Sequence, residues 1–138
     1  MNVRSFIDTN ILVYTDDHDA LEKQTRALDL VEQARLSRNG VLSTQVLQEY
    51  FVTATRKLNV EPAIVRRKVE LFARLDLVQI DLDAILAAID LHRLHQFSFW
   101  DALIIQSALV SGCRILFTED LQQRRRVNGL EVLNPFSS

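Results

Sequence analysis

Short apolar runs alternate with longer amphipathic segments along this chain. Runs at 3–7, 41–43, 77–80, 114–117 and 130–133 predict short buried strands. The longer segments between them repeat apolar residues at helical spacing, and short strands that alternate with such helices favour parallel pairing through right-handed crossovers. We therefore expect an α/β three-layer sandwich, in which helices flank a parallel sheet of about five strands and several helices pack together on one side.

The ends of the predicted helices have local signals. Asn39-Gly40 ends the first long helix, Pro62 suits the first turn of the third, and Asp81 or Asp83 can cap the fourth. Ser98 can cap the last helix, which ends at Gly112. The first two long helices are each predicted to bury one apolar stripe. In the first helix its members are Leu21, Leu28, Val31, Ala34 and Leu36, and in the second they are Val46, Leu47, Tyr50, Phe51, Ala54 and Leu58.

Composition indicates one soluble domain over residues 1–138. With 48% hydrophobic residues, 25% charged residues and only 3 Gly and 2 Pro, the 138-residue chain has neither a linker nor a disordered composition. The formal charge of −2 excludes a strongly basic nucleic-acid binder, but clustered acids would leave the remaining surface slightly positive. Cys113 alone forms no internal disulfide or Cys-type zinc site. Without a signal peptide or an apolar run of ~18 residues, a cytoplasmic protein is expected.

Acidic residues follow two of the predicted strands. Asp8 comes directly after the first strand, and Glu119 and Asp120 follow the fourth strand after Thr118. Ligands of open parallel sheets bind beyond the carboxyl ends of the strands, at the point where strand order reverses. If the order reverses between these two strands, their acids face one crevice.

Two more acids lie in largely apolar helices. At ~100° per residue, Glu49 flanks the apolar stripe of its helix. Asp101 lies one turn into the segment 99–105, which is apolar on almost every side, and an unpaired charge there would cost several kcal/mol. A polar partner or a metal ion would relieve that cost.

Each acid also has an ordinary structural explanation. Asp8 can cap a following turn, Asp101 can complete a capping box with Ser98, Glu49 can be a solvated helix residue, and Asp120 can favour a helix start. None of these explains why acids converge from two strand ends and two helices. An oxygen-only cluster suits a hard cation such as Mg²⁺ or Mn²⁺, and phosphodiester hydrolysis is the natural reaction class for it.

Four motifs in order resemble the PIN domain, and within it the VapC-type toxin ribonucleases of prokaryotic toxin–antitoxin pairs. They lie at 6–12 (Phe-Ile-Asp-Thr-Asn-Ile-Leu), 45–49, 99–102 (Phe-Trp-Asp-Ala) and 116–121 (Leu-Phe-Thr-Glu-Asp-Leu). The resemblance extends from about residue 3 to residue 136.

The resemblance implies a PIN-like nuclease domain and a set of site residues. Its metal-binding and catalytic acids would be Asp8, Glu49, Asp101 and Asp120. Asn10 and Thr118 would be polar neighbours, and Glu119 adjoins Asp120, so that either acid could face the metal. It also implies a single-stranded or loop RNA substrate, Mg²⁺ or Mn²⁺ as cofactor, a homodimer, and inhibition by an antitoxin from the same operon.

Other chemistry-bearing residues have weaker signals. Arg124, Arg125 and Arg126 follow the proposed ligands closely enough to contact RNA phosphates, although a solvated helix face explains this run and the basic run at 66–68 equally well. His92 and His95 are interpreted as surface residues, because no third soft ligand is near in sequence. The aromatic rings of Trp100 and Tyr50 could stack on bases, but their apolar neighbours favour packing in the core.

Three competing functions remain to be compared. A haloacid-dehalogenase type of phosphatase requires a second acid where this chain has Asn10. A receiver domain requires an acid pair at the first strand and a late Lys, where this chain has Thr118-Glu119-Asp120. A non-catalytic RNA- or protein-binding PIN module with a vestigial site would not require all four acids. A metal-dependent cleavage assay separates that module from the nuclease.

Overall fold

The computed structural model describes residues 3–121 and 125–137. Its strands are β1 (Ser5–Ile7), β2 (Gly40–Ser43), β3 (Asp76–Val78), β4 (Ile115–Phe117), β5 (Arg126–Val127) and β6 (Leu130–Leu133). Its helices are α1 (Thr9–Tyr14), α2 (Leu21–Ser37), α3 (Thr44–Arg56), α4 (Pro62–Phe72), α5 (Leu82–His95) and α6 (Phe99–Val110). Among these helices, none has both the length and the apolar character needed to cross a membrane.

The strands form one sheet in the order β3-β2-β1-β4-β6-β5. All pairs are parallel except β5 with β6. The chain moves from β1 outward to β3 and then returns to the other side of β1 at β4, so the strand order reverses between β1 and β4. This arrangement confirms the α/β class, with helices flanking a mostly parallel sheet, and it places the ends of β1 and β4 side by side.

The expected count of about five strands is too low by one for the described part of the chain. β5 is a two-residue strand that pairs antiparallel with β6 across Asn128-Gly129. Both turn residues have positive φ, 50° and 89°, as two-residue hairpin turns require. The Asn-Gly pair is the sequence signal for this hairpin, but β5 is too short to show its own hydrophobic pattern.

The structure confirms the predicted caps of α5 and α6 and shows which of the two candidate residues caps α5. The Asp81 side chain, rather than that of Asp83, accepts a hydrogen bond from Ala84 N and begins α5. Ser98 Oγ accepts from Asp101 N at the start of α6. Ser43 caps α3 in the same way. Helix α1 was not predicted, because its six residues are too few to show a helical period.

The buried face of α2 includes only part of the predicted stripe, since Val31 and Ala34 pack against the core but the three leucines do not. Leu21, Leu28 and Leu36 are 66%, 49% and 62% exposed, whereas Ala27 is fully buried. At ~100° per residue, these three leucines lie at least ~100° around the helix from Ala27. The opposite face packs closely on the sheet: a Cβ added at Gly40 would lie 2.5 Å from Ala34 Cβ. Phe51 of α3, 40% exposed, is also wrongly predicted as buried.

A polar network joins the end of α1 to α3 and α4. The fully buried Tyr50 donates its hydroxyl to Asp16 Oδ2 at 2.6 Å. Lys68 Nζ forms an ion pair with Asp16 Oδ1 and donates to Thr15 Oγ1 at 3.0 Å. Burial and the bond to Asp16 raise the pKa of Tyr50 well above its ordinary value, so the hydroxyl stays a donor. The network holds α1, which begins directly after Asp8, against α3, which carries Glu49.

Candidate functional site

The four predicted acids line one cleft. Its volume is about 700 Å³, and it lies beyond the carboxyl ends of β1 and β4. The acids that line it are Asp8, Glu49, Asp101 and Asp120, together with the predicted neighbours Asn10 and Glu119. The topology thus brings together residues from two strand ends and two helices.

Asp8 is the most buried of the four acids. It is 8% exposed, its Oδ1 accepts from Thr9 N at 2.7 Å and its Oδ2 accepts from Thr118 Oγ1 at 2.8 Å. The bond to Thr9 makes Asp8 the N-cap of α1, so the ordinary explanation considered for this residue is also correct. Burial raises the pKa of Asp8 to about 6, the two hydrogen bonds oppose that rise, and the charges of Asp120 and Glu49 add to it.

Thr118 connects the loop after β4 to the loop after β1. Its hydroxyl oxygen accepts from Asn10 Nδ2 at 3.2 Å and from Asp120 N at 3.1 Å, in addition to donating to Asp8. Asn10 Oδ1 accepts in turn from Glu119 N at 3.2 Å. The predicted polar neighbours therefore position the two strand ends that carry Asp8 and Asp120.

Glu49 reaches the cleft from the side of α3. Its Oε1 accepts from Thr9 Oγ1 at 2.7 Å, and its Oε2 accepts from Gln45 Nε2 at 3.3 Å. The same Gln45 nitrogen donates to the carbonyl oxygen of Trp100 at 3.2 Å, at the start of α6. Sequence reasoning assigned no role to Thr9 or to Gln45. The spacing of Gln45 and Glu49, four residues apart on one helix, is the signal that predicts their contact.

The carboxylates of Asp101 and Asp120 are unengaged within the described part of the chain. The Asp101 backbone N–H is bound by Ser98, but its side chain does not complete the capping box. Asp120 is bound through its backbone N–H to Thr118. Both side chains are therefore available to a ligand in the cleft.

Glu119 is held by other partners. Its Oε1 accepts from Tyr14 Oη at 2.7 Å, and its Oε2 forms an ion pair with Lys23. Partial burial by itself would raise the pKa of Glu119, but the hydrogen bonds from Lys23 and Tyr14 lower it below its ordinary value. Of the two adjacent acids, Asp120 is the one whose carboxylate is electrostatically coupled to Asp8.

The donor chemistry of the cleft fits a hard divalent cation. The four side chains offer only oxygen atoms, and Asp8 is a buried carboxyl whose pKa is raised by burial and also by the nearby charges of Asp120 and Glu49. Across residues 3–121 and 125–137, however, no three acidic, His or Cys groups are close enough to hold an ion as they stand. The carboxylates would have to move closer together around a bound cation.

The remaining predicted residues lie around this cleft or outside it. Arg124 is outside the described residues, Arg125 lies with its guanidinium 4.3 Å from the centre of the Phe97 ring, and Arg126 pairs with Glu131 at 3.7 Å. His92 and His95 are on the surface, as interpreted. Tyr50 is buried as expected, but the expectation that Trp100 packs in the core is wrong, since its side chain lines the cleft and the residue is 60% exposed.

Comparison with solved structures shows the same fold in toxin proteins. The VapC20 toxin of Mycobacterium tuberculosis, described as cleaving the sarcin-ricin loop, is 19% identical, with a TM-score of 0.64 over 81% of this chain and 86% of that one. A toxin–antitoxin complex from Klebsiella pneumoniae is 20% identical, with a TM-score of 0.66 over 95% and 97%. DNA-bound VapBC from Salmonella typhimurium is 19% identical, with a TM-score of 0.66 over 94% and 96%.

The family assignment depends on a sequence match. No curated protein matches the chain. The family model described as the PIN domain matches residues 5–128, which include the four predicted acids and every strand except β6. The chain therefore belongs to the PIN-domain family.

Proposed function

We propose that this protein is a metal-dependent endoribonuclease that cuts single-stranded or loop RNA and acts as the toxin of a type II toxin–antitoxin pair. The observation that carries the proposal is the convergence of four carboxylates in one cleft at the point of strand reversal. Proteins with a similar fold include one described as a sarcin-ricin loop cleaving toxin and one described as a toxin–antitoxin complex.

The four acids have two kinds of role in this proposal. Asp8 and Asp101 are the principal ligands, and Glu49 and Asp120 complete the metal site or orient water. Bound Mg²⁺ or Mn²⁺ would supply an activated water and neutralise charge on the phosphodiester. Thr9 and Gln45 orient the Glu49 carboxylate, and Thr118 orients Asp8, so the reacting groups are held by bonds to rigid elements.

Removal of the metal tests the reaction class. Purified protein should cleave single-stranded RNA with Mg²⁺ or Mn²⁺ present, and EDTA should abolish cleavage until excess metal is restored. The measurement is the rate of product formation from an end-labelled RNA on a denaturing gel. Equal cleavage in EDTA would exclude metal dependence, and no cleavage of structured or unstructured RNAs under any condition would favour the non-catalytic PIN module.

The adjacent acids of the β4 loop provide a matched pair of variants. Asp120→Asn should reduce the cleavage rate strongly, since it removes a charge coupled to Asp8. Glu119→Gln removes the same charge one residue away, but from a carboxylate bound to Tyr14 and Lys23, so its effect on the rate should be much smaller. Cleavage rates of the two variants at saturating Mn²⁺ decide between the residues. A larger loss for Glu119→Gln would reverse the assignment.

We also propose a homodimer. One face of α5 carries four large apolar side chains that are exposed to solvent in the single chain. They are Leu82, Ile85, Leu86 and Ile89. Burial of this face against a second copy would remove its apolar surface from water. Light scattering at micromolar concentration should give twice the mass of the chain, and a mass of 15.9 kDa would exclude the dimer.

An antitoxin is the proposed protein partner. The surface between α3 and α4 forms a largely apolar groove, whose lining includes Leu47, Phe51, Val52 and Pro62 and one cationic residue, Arg66. An amphipathic segment with an acidic residue beside its apolar face would suit this groove. Val52 also lines the acidic cleft, so a segment bound in the groove would lie next to the proposed site. Co-expression with a short reading frame encoded directly upstream should give a complex without RNase activity.

A further inference from the structure

Trp100 presents an exposed indole ring at the wall of the acidic cleft. It is 60% exposed and lines the cleft next to Asp101, in the first turn of α6. Its backbone is fixed, because its carbonyl oxygen accepts from Gln45 Nε2 at 3.2 Å. Its ring contacts Phe99 edge to face, with centroids 5.1 Å apart. A large apolar surface is thus held in place but remains in contact with water.

The charges of the cleft leave little attraction for phosphate groups. Its described lining includes six carboxylates and one cationic side chain, Lys57. An RNA strand entering the cleft would be repelled through its backbone wherever a metal ion did not neutralise it. Favourable contact with the walls therefore has to come from another part of the nucleotide, and nucleobases offer an uncharged, flat surface.

The second aromatic residue of the cleft is less suited to such contact. Tyr14 donates its hydroxyl to Glu119, and its ring packs against Phe136 and Lys23. Trp100 has a similar edge-to-face neighbour in Phe99 but remains 60% exposed, whereas Tyr14 is only partly exposed. Stacking of bases on exposed aromatic rings is worth about 1–3 kcal/mol per base and tolerates any sequence.

We propose that Trp100 is a nucleobase-stacking residue, which binds one unpaired base of the RNA strand beside the position of the cleaved phosphodiester. This inference depends on the proposed RNA substrate. It explains selection of single-stranded or loop RNA, since a base must be unstacked from its neighbours before its face can cover the indole. It assigns to Trp100 a role in binding and none in proton transfer or metal coordination.

The chain contains a single Trp, so the intrinsic tryptophan emission reports only on this residue. The experiment titrates the full protein, in Ca²⁺ in place of the catalytic metal, with a short single-stranded RNA and with an abasic ribose–phosphate oligomer of equal length. Binding is measured separately by anisotropy of end-labelled strands, and emission is measured with unlabelled strands. RNA should quench the emission with the same midpoint as the anisotropy curve. The abasic strand should bind more weakly and leave the emission unchanged.

Three variants complete the test. Trp100→Ala should weaken RNA binding by about 5- to 150-fold, the equivalent of one stacked base, and Trp100→Phe should recover most of the loss. Trp100→Ala should not change the weak binding of the abasic strand, which a merely structural role would change. Val110→Ala, an equally exposed position at the other end of α6, is the matched control and should bind and quench like the wild type.

Several results would overturn the stacking role. RNA binding without a change in emission would do so, as would Trp100→Ala binding RNA as tightly as the wild type, or no RNA binding at all. Emission that changes on dilution of the protein alone would also do so, because it would mean that a second copy of the chain covers the ring. The nuclease proposal fails separately. Quenching without cleavage in Mg²⁺ or Mn²⁺ would refute the catalysis and keep the stacking site, and cleavage without quenching would do the reverse.

Discussion

Replacing Asp8 with Asn should reduce RNA cleavage by orders of magnitude while the protein remains folded. The substitution keeps the shape of the side chain and its capping role but removes the negative charge that a cation requires. The measurement is single-turnover cleavage of the same RNA by both proteins at saturating Mn²⁺. Asp90→Asn, an exposed acid on α5 outside the cleft, is the control and should cleave like the wild type.

The same variant should be more stable than the wild type in metal-free buffer near neutral pH. The pKa of Asp8 is raised from 3.8 to about 6. Between these two pH values, the folded protein therefore keeps a proton on Asp8 that the unfolded chain has lost. Stability therefore falls as pH rises through this window, and above it the ionised Asp8 costs at most about 3 kcal/mol. The Asn side chain avoids this cost but loses one good hydrogen bond. The free energy of unfolding of the Asp8→Asn variant should therefore exceed that of the wild type by about 1–2 kcal/mol.

Urea unfolding in EDTA at about pH 7 and about pH 4 measures this effect. The gain should be present at the higher pH and absent at the lower one, where Asp8 is protonated in the folded protein. A destabilised variant at neutral pH would show that the bonds from Thr9 and Thr118 outweigh the cost of burial. Wild-type cleavage rates in the variant would remove Asp8 from the active site altogether.

Replacing Lys68 with Met should lower the free energy of unfolding by about 2–4 kcal/mol. Lys68 neutralises Asp16, whose side chain is only 12% exposed, and removal of one partner leaves a largely buried charge without compensation. Methionine keeps most of the apolar stem, so lost packing contributes little. Urea unfolding of the variant at neutral pH measures the change, and cleavage activity should fall as well, since the network holds α1 against α3.

A second substitution isolates the charge effect. Asp16→Asn in the Lys68→Met background should recover stability, because Asn is uncharged and still accepts the Tyr50 hydroxyl bond. Arg66→Met, which breaks an exposed pair with Glu70 on the same helix, should change stability by less than about 1 kcal/mol. Similar losses for Lys68→Met and Arg66→Met would mean that the buried network contributes no more than a surface pair.

Features of the fold that depend on chain order were predictable from sequence. Alternating strands and helices imply parallel pairing, and the carboxyl ends of parallel strands share one edge, which is why Asp8 and Asp120 line the same cleft. The rotation of α2 was not predictable, because both of its faces carry apolar residues and only packing against β2 selects one. Helix α1 and strand β5, with six and two residues, are too short to repeat the pattern by which such elements are recognised.

The orientation of individual side chains in the site depends on partners far away in the chain. Both Glu119 and Asp120 line the cleft, but the Glu119 carboxylate is bound by Lys23 and Tyr14, from 96 and 105 positions away. The exposure of Trp100 was not predictable from the sequence either. Its apolar neighbours predict burial, but the first turn of α6 projects this ring beyond the sheet, into the cleft.

The hydrogen bonds around Thr118 have a direction. A hydroxyl owns one proton, and since Asn10 Nδ2 and the Asp120 N–H both point at its oxygen, that proton is committed to Asp8. Rotation of the Asn10 amide would reverse the order of donors and acceptors, but Asn10 Oδ1 is already occupied by the Glu119 N–H. The main-chain N–H of Glu119 therefore helps to keep the Thr118 hydroxyl aimed at Asp8, so that a backbone group without side-chain chemistry orders the contacts of a buried acid.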